Sequence, residues 1–470
     1  MKLDKAAQLA KQHTPEYIDL KFADLLGFWH HITLPGSSLN DDLFTFGVGV
    51  DGSSMPGFSS IEQGDMIMIP DQETAFMDPF FERPTLSMLG NIMEVDKRMV
   101  PYSRNPRRVA GDAEKYLSKI VKGTKCILGP EFEFYVFDKV NFFQGPESAY
   151  YYLDTAEAAW NAAQDAESLG YKIPYKKGYH AAPPMDRTYN LRSQISAILA
   201  EAGVGLKYHH HEVGGAGQHE IEVTFSPLLL MADQTMLIKY IIKNHCFRSG
   251  KSATFMPKPL FNEPGSGLHV HQYLADEKGS IFLDEKGPCR MSKIALHYIG
   301  GLLRHVDSVL AFTNPSTNSF KRLVPGFEAP VAGTFSTGNR TACIRIPGYQ
   351  RDPKKMRLEF RPPDGTMNPY LAYAAMLMAG LDGIKNKIDP GEPHNHNLEK
   401  LPASELAKIH QLPTSLNKTL DALERDHDYL MEGGVFTEDL LENWIRIKRK
   451  EVAAIRVRPT PHEFELYYDL

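Results

Sequence analysis

The chain has 470 residues, 42% hydrophobic and 23% charged, so it can bury a large core and has the composition of an ordinary globular protein. A formal charge of -6 gives no global basic field, which argues against nucleic-acid and anionic-membrane partners and moves small-molecule chemistry forward. The four cysteines, Cys126, Cys246, Cys289 and Cys343, form no CxxC pair, as expected of reduced thiols and not of disulfides or a zinc site.

The N-terminal stretch MKLDKAAQLAKQHTPEY lacks the apolar core of a signal peptide, and LLLMADQTMLIKYIIK is broken by Asp233 and Lys239, so the expectation is a cytoplasmic protein without a membrane span. In chain order, a short helix is followed by the strand-like runs YIDLKFAD and FWHHITLP, the Gly/Ser-rich loop DGSSMPGFSS and a further strand DMIMIPD. This predicts a small α+β unit over 1–105. MVPYSRNPRRVA reads as the connection into a larger unit over 106–470, opening with a helix near Asp112. There strands of alternating pattern are mixed with amphipathic helices such as LLLMADQTMLIKYIIKNHCFR and NPYLAYAAMLMAGLDGI, and the tail after Glu432 is helical, closing on HEFELYYDL. RSGKSATF has His245 where a P-loop needs glycine, and GGAGQ lacks dinucleotide-binding spacing, so neither is a nucleotide fingerprint.

The chemistry lies in strands that carry ionisable residues at every second position. Glu131 and Glu133 alternate with Phe132 and Phe134; Glu220 and Glu222 with Ile221 and Val223; His269 and His271 flank Val270; Arg357, Glu359 and Arg361 alternate with Leu358 and Phe360. One such strand is ordinarily a solvated sheet face, but four with strongly apolar opposite faces point to a shared site. Glutamates brought together repel unless a cation lies among them, and an oxygen-rich set with few imidazoles suits Mg²⁺ or Mn²⁺. Glu212, ahead of the turn in HHHEVGGAGQHE, joins this set, whereas its preceding histidines are read as packed or hydrogen-bonded. Arg322, Arg340, Arg345, Arg357 and Arg361 supply forks suited to polyphosphate and carboxylate. Together these parts predict an ATP-dependent enzyme acting on an anionic small molecule.

VDGSSMPGF, GPEFEFYVF, HHEVGGAGQ, ATFMPKPL, GSGLHVH, NSFKRLVPGFEAP, GNRTACIRIP, RLEFRPPD and NPYLAYAAMLMAGLDGI occur in one order. From about Tyr17 to the C-terminus the chain thereby resembles bacterial-type (type I) glutamine synthetases, which make γ-glutamyl phosphate from glutamate and ATP and let ammonia displace the phosphate. The resemblance implies a β-grasp-like N-terminal domain, a catalytic domain on a curved antiparallel sheet (an open barrel) flanked by helices, and two stacked rings of six subunits. It implies Glu133, Glu212 and Glu220 as ligands of one metal and Glu131, His269 and Glu359 as those of a second beside the ATP phosphates. Arg345, Lys354 and Arg357 match ATP contacts, with Phe225, His271 and Tyr273 where the nucleotide lodges. Arg322, Arg361 and Gly265 match glutamate contacts, and Arg340 a phosphate-stabilising arginine. Asp51 and Glu328, with Ser54 and Glu212, are the implied ammonium trap and base; the DGSS loop would serve the next subunit, and HEFELYYDL would join the rings.

The chain departs from the family pattern in three places. Pro264 replaces an asparagine of the substrate and amine pocket, and brings neither side-chain amide nor backbone donor. Phe58 takes the place of a loop tryptophan, and Glu399 that of a tyrosine adenylylated in some members. The alternatives are a related ligase joining glutamate to a polyamine or other amine, and a non-catalytic member, which should have lost metal carboxylates; none of the six is missing. A guanidino-kinase-like phosphotransferase gives no reason for DGSS and PGFEAP.

Overall fold

In a computed structural model, residues 4–59, 64–95, 99–162, 169–396, 404 and 408–470 are described; Glu399 lies outside them. Helix Lys5–His13 starts where the Asp4 carboxylate accepts the Ala7 N–H, and ends on the left-handed Thr14. It packs on a five-stranded sheet of order Trp29–Pro35, Tyr17–Ala23, Thr85–Glu94, Asp65–Met77, Val48–Asp51. Tyr17–Ala23 runs parallel to Thr85–Glu94 and the other neighbours are antiparallel, giving the expected β-grasp arrangement. Ile18, Leu20, Phe22, Met68, Leu86 and Met88 form its core.

The opposite face of this sheet is polar and yet buried, because it meets the larger unit. Lys21 lies between Asp19 and Asp78, and its ammonium is 5.1 Å from the ring centre of Tyr240 on helix Leu228–Arg248. Arg107, in helix Pro106–Ile120, donates to Asp71 of the small sheet at 2.8 Å and to Asp233 at 2.9 Å. Buried charge is tolerated at this junction because each group finds its opposite.

The second sheet runs Ala332–Thr337, Ala342–Ile346, Leu358–Phe360, Leu268–Asp276, Lys125–Phe137, Gln218–Val223, Leu206–His211. Its pairs are antiparallel except Ala332–Thr337 with Ala342–Ile346, which are parallel, so the expected antiparallel sheet is mixed at that edge. Phe132, Phe134, Ile221, Leu268, Val270, Leu358 and Phe360 point from one face into the core. Helices Leu228–Arg248 and Pro369–Asn386 close this core. Pro369–Asn386 can be almost wholly buried because its small residues admit close neighbours: a Cβ at Gly380 would lie 2.1 Å from the Tyr298 ring. The tail forms helices Glu438–Arg456 and Pro461–Tyr467, the latter capped by Thr460 and Glu463 and exposed. Among the described residues no helix is long and apolar enough to cross a membrane.

Candidate active site

The charged face of the second sheet is assembled by strand register. Antiparallel pairing sets Glu220 opposite Glu133 and Glu222 opposite Glu131, while His269 lies opposite Glu131 from the other side. His271 pairs with Glu359, and Glu359 in turn with Arg345. Since successive strand residues alternate faces, a register slip of one position would send every one of these groups into the apolar core.

Among the described residues, three sets have ligand atoms within 4.8 Å of one another: Glu131, His269 and Glu359; Glu133, Glu212 and Glu220; and Glu131, Glu220 and Glu222. The first two are the triplets that the family resemblance implies. The third brings in Glu222, which had a place in the alternation but no assigned role. Nδ1 of His269 is 3.0 Å from Glu131 and 3.7 Å from Glu133 and Glu359, so the imidazole faces the carboxylates.

The electrostatics of the bare protein show the cost of this crowding. Burial, then the charges of Glu133 and Glu220, push the Glu212 carboxyl up to about 9, and one of its buried oxygens has no hydrogen-bond partner. Burial, helped by Glu131 and Glu133 and opposed by His210, raises Glu220 to about 7. Burial also works against ionisation of Glu131, but His271 at 2.7 Å and His269 hold it well below the usual range. Buried carboxylates driven toward protonation by one another, with an orphaned oxygen, fit a divalent cation that prefers oxygen donors.

Around these carboxylates lies a cleft of about 830 Å³, lined among others by Glu131, Glu133, Glu212, Glu220, His269, Arg322, Arg340, Arg345 and Arg361. Arg345 and Arg361 both donate to the fully buried Glu359, holding its carboxyl below the usual range against burial. Arg322 is fixed by donation to the Pro362 carbonyl at 2.7 Å and the Arg361 carbonyl at 3.1 Å, and reaches His269 Nε2 at 3.1 Å. Gly265 and Gly267 sit against that guanidinium arm; a Cβ on Gly265 would lie 2.7 Å from Arg322 Cγ. Pro264 lies on the cleft wall, and its carbonyl accepts the Tyr135 hydroxyl at 2.7 Å.

Beyond Glu131 a shelf of rings adjoins the arginines. Phe225 covers Gly129, stacks on His271 at 6.0 Å and touches Tyr273 at 6.1 Å, with the Arg357 guanidinium 5.2 Å from its ring centre. Arg345 and Arg357 also flank Tyr349, a residue the sequence reading passed over because nothing periodic surrounds it. Lys354 is exposed in a turn next to Gly279, away from the cleft lining.

Glu328 is at the cleft mouth in a left-handed conformation (φ 54°), 3.4 Å from Arg340. The preceding Phe327 is gripped by two cations, with Lys258 Nζ 3.6 Å and Lys176 Nζ 4.7 Å from its ring centre. Tyr179 also lines the cleft; burial and then Glu212 raise its phenol. It stacks on His180 at 4.1 Å, and His210 packs edge-on against both while standing 3.5 Å from Glu220. His211, in contrast, is a packed residue, buried 3.0 Å from Glu157. Asp51 and Ser54 are not part of this cleft: Asp51 ends strand Val48–Asp51 and caps the turn Gly52–Ser54, where it accepts from Ser53 N–H at 2.9 Å and from both serine hydroxyls at 2.7 Å. Those bonds hold the exposed Asp51 carboxyl below its ordinary range.

Buried carboxylates that call for divalent ions, ringed by arginines and bordered by an aromatic shelf, are the equipment of an ATP-dependent ligase. The family model described as "Glutamine synthetase, catalytic domain" matches residues 103–467, and "Glutamine synthetase, beta-Grasp domain" matches 14–95. Relatives named glutamine synthetase include those of Frankia alni, 48% identical with 100% of this chain and 99% of the relative covered, and Mycolicibacterium smegmatis, 48% identical with 99% of each covered. Among solved structures, Plasmodium falciparum glutamine synthetase superposes with a TM-score of 0.89 at 27% identity, covering 100% of this chain and 99% of that one. A GmaS/ADP complex superposes with a TM-score of 0.82 at 27% identity over 100% of both chains. The chain belongs to the glutamine synthetase family. With membership come the activity, ATP-dependent ligation of ammonia to glutamate, and the use of a divalent metal.

Proposed function

We propose that the two sheet-borne triplets each hold one divalent ion: Glu131, His269 and Glu359 beside the nucleotide phosphates, and Glu133, Glu212 and Glu220 beside the glutamate side chain. The observation that carries this reading is the register that puts Glu220 against Glu133 and His269 against Glu131. Mg²⁺ or Mn²⁺ suits the oxygen-rich set, and such ions supply neutralisation of phosphate charge during transfer. The chain's own residues do the rest. Arg345, Arg357 and Lys354, with the shelf of Phe225, His271 and Tyr273, orient ATP; Arg322, Arg361 and Gly265 seat glutamate; Arg340 stabilises charge on the phosphoryl group in transit.

Ammonium must be bound and stripped of a proton before its lone pair can attack the acyl phosphate. Asp51 and Glu328 take that role in this reading, with Ser54 and Glu212 beside them. Because the Asp51 loop lies apart from the cleft of its own chain, the reading needs a second copy to bring it there. Six subunits would close a ring, two rings would stack into a dodecamer, and the exposed Pro461–Tyr467 tail would join them in the cytoplasm. The boundary between the two units falls at Asn105, which caps helix Pro106–Ile120.

A second reading rests on Pro264: with no side-chain amide at that position of the cleft wall, the acceptor is a larger amine instead of ammonia. The GmaS/ADP complex among the similar folds shows that this architecture occurs under another name. ATP-dependent phosphate release with glutamate, comparing ammonium with putrescine, ethanolamine and no amine, separates the two. Turnover stimulated by ammonium supports the first; stimulation by a polyamine alone overturns it.

A further inference from the structure

The loop that follows Asp51 is fastened at Gly57 and Phe58 to helix Glu438–Arg456 and to Arg104. Helix Glu438–Arg456 presents Asp439, Asn443 and Ile447 at intervals of one turn, along one face. Asn443, buried, donates from Nδ2 to the Gly57 carbonyl at 2.5 Å. Asp439 takes a two-pronged ion pair from Arg104 at 2.5 and 2.6 Å, and the Arg104 fork in turn donates to the carbonyls of Gly57, at 3.3 Å, and Phe58. Tyr102 donates to the same Phe58 carbonyl, and the Phe58 ring is wholly buried against Tyr102 at 5.3 Å. Gly57 itself has φ 79°, and a Cβ there would lie 2.6 Å from Leu25 and 2.9 Å from Ile447, so the chain is pressed between the small unit and the helix.

This anchorage reaches the carboxylate through the loop's own bonds. Phe58 N–H donates to Met55 at 3.2 Å, Met55 N–H to Gly52 at 3.2 Å, and Ser59 N–H back to Gly52 at 3.4 Å. Phe58 and Ser59 are thereby tied to Gly52, the residue next to Asp51. Loop carbonyls at a surface are ordinarily left to water, yet here two adjacent ones receive donors from an arginine, an asparagine and a tyrosine drawn from two distant parts of the chain.

We propose that Asn443 and Arg104 are positioning residues for the amine step: they set the Asp51 loop through the Gly57 and Phe58 carbonyls, with Asp439 orienting Arg104. The inference rests on Asp51 serving ammonium. Displacing a reacting group by about an ångström costs on the order of 100-fold, so loosening the clasp should act on one substrate and leave the others.

In the full-length protein, Asn443→Leu is expected to raise the KM for ammonium by about 10-fold or more while the KM values for ATP and glutamate stay within about 2-fold. ADP formation from ATP and glutamate in a single turnover without amine should be unchanged. Asp439→Asn, at a half-exposed position that should not threaten folding, should shift ammonium KM in the same direction by less. Adding Asn443→Leu to Asp51→Asn should cost nothing further in kcat/KM for ammonium. The inference is overturned if Asn443→Leu has normal ammonium KM while Asp51→Asn does not, if the amine-free step falls as much as the full reaction, or if the two losses multiply. Should Asp51→Asn itself leave the ammonium KM untouched, the role of Asp51 fails first and the clasp has nothing to position.

Discussion

Glu220 stands directly opposite Glu133 across an antiparallel strand pair, both only 7% exposed. Like charges so placed destabilise the sheet unless a cation lies between them. Glu220→Gln should therefore raise the melting temperature of the metal-free protein. Saturating Mg²⁺, at about 100 times its Kd, should stabilise the wild type by about 2.7 kcal/mol. The variant should lose more affinity than the roughly 10–100-fold that disturbing an outer partner costs. Thermal unfolding and calorimetry with and without Mg²⁺ check this; a Gln variant that binds as tightly as the wild type contradicts the assignment.

Glu359 is fully buried between Arg345 and Arg361, on the strand facing His271. Glu359→Gln keeps the shape and removes the charge. Phosphoryl transfer should fall by at least about 100-fold, the scale of losing one preorganised charge at the reacting centre. Circular dichroism at 25 °C should still report a folded protein, with a lower melting temperature because two guanidinium groups lose their partner. A well-folded variant with near-normal ADP formation would remove Glu359 from the site.

The loop carrying Glu328 is held by the grip of Lys258 and Lys176 on Phe327. Burial, Lys176 and Arg322 lower the Lys258 ammonium to about 8, so this cation is only partly charged above neutral pH. Phe327→Leu deletes contacts of about 0.5–2 kcal/mol each and should raise the KM for ammonium several-fold with a smaller change in ATP KM. The wild-type advantage should shrink as pH rises through about 8, when Lys258 discharges. Steady-state kinetics from neutral to alkaline pH measure both; an advantage constant with pH would show that Lys258 does not hold the loop by its charge.

Much of the site was legible because a pleated strand writes its two faces into alternate letters. Glu131 and Glu133 declared their face from nine residues, GPEFEFYVF, and the same held for Glu220, His269 and Glu359. Register was not legible: that Glu220 meets Glu133 and not Glu131 depends on pairing between strands some 80 residues apart, which no local pattern encodes. Tyr179 and Tyr349 were missed for a related reason, since they reach the cleft from irregular segments. The histidines read as packed or hydrogen-bonded are so: His211 is packed beside Glu157, His209 lies 3.3 Å from Arg192, and His210 lies 3.0 Å from the His211 carbonyl, although His210 also stands 3.5 Å from Glu220. The alternation of Asp19 and Lys21 with Ile18 and Leu20 looks like a solvated face, and only the docking of helix Leu228–Arg248 buries it. The Asp51 loop marks the other limit: its turn chemistry is local, but the helix that clasps it begins nearly four hundred residues later.

His305 fastens helices far from the cleft and makes stability depend on pH. It lies between helices Lys293–Arg304 and Val306–Thr313, with Nε2 3.0 Å from Asp382 and Nδ1 2.9 Å from Asp426, and its ring stacks on Tyr429 at 4.0 Å. Burial opposes its charge, but hydrogen bonds to Asp382 and Asp426 outweigh burial and raise the imidazole above its ordinary value. A group whose folded pKa is raised contributes in full below the unfolded value, about 6.5, and loses that contribution as pH climbs through the folded value. His305→Gln keeps one hydrogen bond at most and cannot carry charge. At about pH 6 it should cost about 1–3 kcal/mol, trimmed by salt because the Asp426 side chain is 41% exposed. The gap in melting temperature between wild type and variant should narrow as pH climbs through the raised folded value, above which the wild-type imidazole is neutral too. A gap of constant size as pH rises would mean that His305 is already neutral in the folded protein and donates its single N–H to one aspartate at most.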